Sequence, residues 1–175
     1  MSEKSLMSKI KSEWGAFIVR AVAGTPLPEA FIAALIAGES GGSNNAKRFE
    51  PGVYRHLVRV QAGLSTRYGV LAESDLSGLS DEALRGLATS WGATQVMGYN
   101  ALCHGVDYLT LETPGVSMAL TVRMLLGFAK EFNLDPAKDF GALFKCWNTG
   151  RPDGKTSEAL YAYNGLGRMR LYAEV

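Results

Sequence analysis

The chain has 175 residues, 47% of them hydrophobic and 20% charged, with a formal net charge of +1. That is enough chain to bury a core without staples, and the composition excludes a disordered polymer. The near-neutral balance argues against a protein that grips nucleic acid by bulk electrostatics, and two cysteines are too few for a disulfide scaffold or a thiolate zinc site.

The start, Met1-Ser2-Glu3-Lys4-Ser5-Leu6, lacks the apolar run of a secretory signal. Met7–Val22 reads as a first helix, stopped by Gly24 and Pro26. Pro28 suits a first helical position and Glu29 complements the positive helix start. Two helical stripes follow, Phe31, Ala34, Leu35, Gly38 and Ile32, Ile36, Glu39; apolar on both sides, this second helix should be buried, and Gly41-Gly42 ends it. Pro51–Ala62 predicts a third helix. Residues 65–79 are mixed and turn-rich and are the place for irregular structure or a short strand pair. Ser80 reads as the N-cap of a helix to about Thr89, and Gly92–Leu102 as a further short helix. Thr113-Pro114 opens the clearest helix, with Met118, Val122, Leu125, Ala129 and Phe132 at helical spacing. Asp139–Trp147 and Ser157–Tyr163 complete the series. No run alternates with period two, and no apolar stretch is long enough and clean enough to span a bilayer. The fold class is mainly α.

Glu39 is the most informative residue. Its helix is apolar, and a helix C-terminus disfavours negative charge. Both effects raise a carboxyl pKa, and a carboxylic acid that keeps its proton near neutral pH can give it to a leaving oxygen. The same stretch, Gly38-Glu39-Ser40-Gly41-Gly42, also fits the Gly-x-Ser-x-Gly elbow of serine esterases, which would make Ser40 a nucleophile. That elbow requires a strand before it and a histidine downstream; the preceding residues make a poor strand, and the histidines are His56 and His104. The spacings of His56, Cys103, His104 and Cys146 match no zinc signature.

Three segments occur in a fixed order: Gly38-Glu39-Ser40-Gly41-Gly42, then Ser90-Trp91-Gly92-Ala93-Thr94-Gln95-Val96-Met97, then Tyr161-Ala162-Tyr163-Asn164-Gly165-Leu166-Gly167-Arg168. This succession resembles the lysozyme-like superfamily, in its soluble lytic transglycosylase and goose-type lysozyme branch. In addition, Arg48–Arg55 and Ser90–Asn100 are similar to segments of phage N-acetylmuramidase domains, with Tyr54 and Tyr99 where those domains carry Phe. One departure stands out: Ala93-Thr94 replaces the bulkier Leu-Met pair usual before the glutamine, which should alter packing around Glu39.

The resemblance implies one lysozyme-like helical domain over 1–175, with 1–27 a helical extension packed on it and at most a small β element around 65–79. It implies cleavage of the β-1,4 bond between N-acetylmuramic acid and N-acetylglucosamine in peptidoglycan. The mechanism would be that of a muramidase or a lytic transglycosylase, in a phage or prophage endolysin or a virion lysin. Glu39 would be the acid and then the base. Glu50 is the candidate second carboxylate, with Asp75 and Asp81 behind it. Ser40, Ser90, Gln95, Tyr99, Tyr163 and Asn164 are the expected substrate contacts: Gln95 beside the cleft, Ser90 lining it, Tyr163 next to Glu39, Asn164 shaping the adjacent turn. Trp91 and Tyr99 are candidate stacking platforms. No metal or organic cofactor is expected. The expected partner is peptidoglycan, with no nucleic acid and no stable membrane insertion, and the protein is expected to be a monomer. It would be made in the cytoplasm without a signal peptide and reach the wall through a holin or within a virion. A non-catalytic wall-binding or virion structural protein of the same fold is the alternative.

Overall fold

The computed structural model describes residues 2–156 and 158–175; Ser157, at the expected start of the last helix, lies outside them. Among the described residues the chain forms nine α-helices: α1 (Glu3–Val22), α2 (Glu29–Ser40), α3 (Pro51–Gln61), α4 (Glu73–Leu76), α5 (Asp81–Leu87), α6 (Gly98–Cys103), α7 (Pro114–Glu131), α8 (Phe140–Thr149) and α9 (Tyr161–Glu174). A 3-10 turn covers Tyr108–Glu112. Two small antiparallel sheets accompany them, one of β1 (Lys47–Phe49), β4 (Thr89–Trp91) and β5 (Val96–Met97), the other of β2 (Arg67–Tyr68) and β3 (Leu71–Ala72). The protein is mainly α with a small β component. No described helix is long and apolar enough to cross a membrane.

α2 is the centre. Every residue from Phe31 to Ala37 is buried, so the helix has no solvent face and must be surrounded. α1 covers one side with Met7, Ile10, Trp14, Ile18 and Val22, and these belong to the same core as α2. The first helix is therefore an integral layer of that core. α7, α8 and α9 close the rest; the rings of Phe31 and Phe144 lie 4.3 Å apart at its heart. A second core gathers Leu57, Val60, Leu71, Leu76, Leu84 and Leu87 from α3, β3, α4 and α5. A third, around Trp91, Val96, Ala101 and Leu111, joins the first sheet to α7 through Leu120 and Met124.

Local signals explain most of the boundaries. Ser80 caps α5 by accepting a hydrogen bond from the Ala83 amide at 3.1 Å, as its position predicted. Gly41 ends α2 in the left-handed region, φ +61°, with its amide on the Ile36 carbonyl. The strand pair expected within 65–79 is β2–β3.

Three expectations need correction. The β component is small, as expected, but it is not confined to 65–79: β1, β4 and β5 form a further sheet, from strands of two or three residues that are too short to show alternation. Their register, Lys47 opposite Trp91 and Ser90 opposite Met97, is set by backbone pairing across distant segments. The helices expected through Thr89 and over Gly92–Leu102 give way to this sheet: α5 stops at Leu87, and α6 starts only at Gly98. The last helix runs from Tyr161 to Glu174 rather than ending at Tyr163. Gly165 and Gly167 lower its intrinsic propensity, and packing offsets them: a Cβ on Gly165 would sit 2.6 Å from the Phe144 ring.

Candidate active site

Glu39 occupies the last turn of the central helix, one residue from its end. Its carboxyl is half-buried and accepts a hydrogen bond from the Tyr161 hydroxyl at the start of α9. Burial pushes its pKa above the ordinary glutamate value. The Tyr161 hydroxyl and the positive charge of Arg48 pull the other way without cancelling it. Tyr161 is itself held strongly protonated, first by burial and then by the facing carboxylate. The pair thus consists of a carboxyl inclined to keep a proton and a hydroxyl fixed as a donor. Such a carboxyl can act as a general acid.

The tyrosine beside Glu39 differs from the one the resemblance implies. Tyr163 is 72% exposed, whereas Tyr161 points inward, its ring edge-on to Phe144 at 6.2 Å. Residues two apart on a helix face different sides, so only one of the pair can reach Glu39. The sequence does carry a signal for Tyr161: with Gly165 and Arg168 it forms an i, i+4, i+7 stripe on α9.

Ser40 is committed to structure. Its hydroxyl donates to the Ile36 carbonyl at 3.2 Å and to the Ala93 carbonyl at 2.7 Å, which ties the end of α2 to the 92–95 loop. It follows a helix, not a strand, so the esterase elbow is not formed. That loop is fastened at several further points. The Trp147 indole donates to the Thr94 carbonyl at 3.2 Å. The Thr94 and Thr121 hydroxyls pair at 2.8 Å, fully buried. The small Ala93-Thr94 pair therefore fits a tight site: Ala93 fills the main core, and Thr94 is satisfied by a partner on α7. Gly92 has φ +73°, and a Cβ there would lie 2.6 Å from the Leu111 carbonyl oxygen.

Ser90 and Gln95 form one unit. Ser90 is buried rather than lining a cleft; its hydroxyl donates to Gln95 Oε1 at 2.7 Å. Gln95 Nε2 donates to the carbonyls of Ala46 at 3.0 Å and Gly92 at 2.9 Å. With the backbone of Gln95 at φ +55°, these bonds brace an unusual turn. Trp91, a candidate platform, is buried with its indole on the Gly86 carbonyl, so it is core. Asn164 donates to Glu158 Oε1 at 3.0 Å.

Of the carboxylates proposed to assist, Asp75 accepts from the Ala72 amide and Asp81 from Tyr54 and Arg85, each at a helix start. Glu50 precedes α3 and pairs with Arg48 at 2.6 Å. Arg48 is also the cation whose field reaches Glu39.

A cavity of about 340 Å³ opens beside this region, walled by Gln95, Met97, Tyr99, Asn100, Trp147 and Asn148 among others. A second cavity shares Tyr99, Asn100, Met124 and Phe128 with it and extends the groove to the β2–β3 tip at Gly69 and Val70. Tyr99 stands edge-on to Tyr68 at 5.2 Å, and burial pushes its hydroxyl up to about 12. Glu39 is not part of either wall; its neighbour Ser40 bonds to Ala93, two residues before Gln95 of the first wall. Both cysteines are free thiols, Cys103 exposed and Cys146 buried. No cluster of three or more potential metal ligands occurs among the described residues.

Comparison of the chain with protein-family models, with curated proteins and with solved structures finds no match.

Proposed function

We propose that the protein cleaves the glycan strands of peptidoglycan at the N-acetylmuramic acid to N-acetylglucosamine bond, with Glu39 as acid and then base. The observation that carries this reading is the Glu39–Tyr161 pair: a half-buried carboxyl of raised proton affinity, at the end of the central helix, held by a tyrosine hydroxyl. In the proposed reaction the Glu39 carboxyl gives its proton to the glycosidic oxygen as the C–O bond breaks. The resulting carboxylate then takes a proton from the incoming nucleophile, either water or the sugar's own 6-hydroxyl. Glu50, paired with Arg48, is the proposed second carboxylate. The groove past Gln95, Tyr99 and Trp147 is the proposed seat for the glycan. Similarity to phage muramidase segments supports a lysis role.

The test is lysis. Wild-type protein should clear a suspension of permeabilised Gram-negative cells, and Glu39→Gln should bind the wall material without clearing it. Undiminished clearing by Glu39→Gln contradicts the reading. One observation favours a second reading, a wall-binding protein without turnover: Glu39 stands off the cavity walls. Under that reading the wild type binds sacculi and releases nothing.

A further inference from the structure

Arg168 lies seven residues after Tyr161 on α9, on the same helical face. Its side chain is only 20% exposed, and its guanidinium is fully engaged on one edge: Nε and Nη2 donate to the two carboxylate oxygens of Glu3 at 2.8 and 3.1 Å. This fork geometry fixes the plane of the group as a lysine could not. The remaining nitrogen faces α2. A Cβ built on Gly38 would lie 3.2 Å from Arg168 Nη1, so the guanidinium rests against the backbone immediately before Glu39. A residue with a side chain at position 38 would crowd it. The glycine that precedes Glu39 thus has a physical reason that belongs to α9.

We propose that Arg168, clamped by Glu3, is a positioning residue that sets the hydrogen bond from Tyr161 to Glu39. The inference rests on the reading of Glu39 as the acid. The charged groups around the pair are Arg168 on α9, Glu158 in the turn before it, Arg48 on β1 and Glu3 on α1. Arg168 braces α9 against α2 at Gly38, next to the Tyr161–Glu39 contact, and its charge also favours release of the Tyr161 proton. Glu3 holds the arginine in place and offsets part of its charge. Removing either partner should therefore loosen the hydrogen bond from Tyr161 and act in the same direction on Glu39.

The experiment follows the Glu39 carboxyl by carbon-13 NMR titration of the full chain, alongside the pH dependence of glycan release from purified sacculi. Arg168→Gln should move the Glu39 titration to higher pH and lower kcat roughly tenfold with KM held, as expected for a misplaced catalytic group. Glu3→Gln, at a side chain 54% exposed, spares the fold and should move the titration the same way by a smaller amount. Arg168→Lys, which keeps the charge but not the fork, should restore neither the titration nor kcat. Shifts of opposite sign in Arg168→Gln and Glu3→Gln, no shift in either, or full rescue by Arg168→Lys overturn the inference while leaving Glu39 as the acid. Cleavage by Glu39→Gln overturns the reading beneath it.

Discussion

Replacing Tyr161 by Phe removes one oxygen and little else. The ring keeps its edge-on contact with Phe144, so the apolar burial survives. What is lost is a hydrogen bond to a half-buried carboxyl. Such a bond to a charged acceptor contributes about 1.5–3 kcal/mol, against about 1 kcal/mol for a neutral pair. With Glu39 ionised, the expected loss is about 2 kcal/mol, which in a chain of this size lowers Tm by about 4–8 °C. The loss should shrink toward half as pH falls through the raised pKa of Glu39, where the carboxyl becomes neutral. Scanning calorimetry of Tyr161→Phe, Tyr163→Phe and wild type across that range reads both effects. Tyr163 is exposed, so Tyr163→Phe should match wild type throughout. Equal stability of Tyr161→Phe and wild type, or a loss confined to Tyr163→Phe, would refute the reasoning and restore the tyrosine that the resemblance puts beside Glu39.

Glu39→Gln should itself alter stability. A carboxyl whose folded pKa lies above its unfolded value costs stability once ionised, with the cost growing between the two values as pH rises. The variant should therefore be more stable than wild type at neutral pH, and urea titrations should show that advantage vanishing below the ordinary glutamate range. Ser40→Ala should retain glycan release while losing about 1 kcal/mol, since the hydroxyl joins α2 to Ala93 and performs no chemistry; an inactive but folded Ser40→Ala would contradict this. Gly92→Ala combines a left-handed backbone with a Cβ 2.6 Å from a carbonyl oxygen, and should destabilise by about 3 kcal/mol in the same urea titrations; a cost under about 1 kcal/mol would show that the 92–95 loop is not held as described.

Much of this was legible from residue patterns. The all-apolar run Phe31–Ala37 dictates a central helix, the proline before it and Gly41 after it fix its ends, and Glu39 falls at its last turn. Ser80 and Pro114 mark helix starts through capping and fixed φ. The rest depended on contacts between distant segments. β1, β4 and β5 carry no pattern of their own and exist because their backbones pair. Ser90 and Gln95 were expected at the substrate, but the two hold each other and the turn between them. Which tyrosine meets Glu39 turned on where α9 begins, because a shift of two residues turns a helix face away. Nothing in the sequence separates Arg168 from the other arginines; its place against Gly38 depends on α1 supplying Glu3.

The most direct measurement is mass spectrometry of the fragments released from purified sacculi. Wild-type protein should create new muramic acid ends, either reducing ends or anhydro ends one water lighter, and Glu39→Gln should create none. The absence of any new glycan end with the wild type, or the same ends from Glu39→Gln, would contradict the assignment of Glu39 as the proton donor.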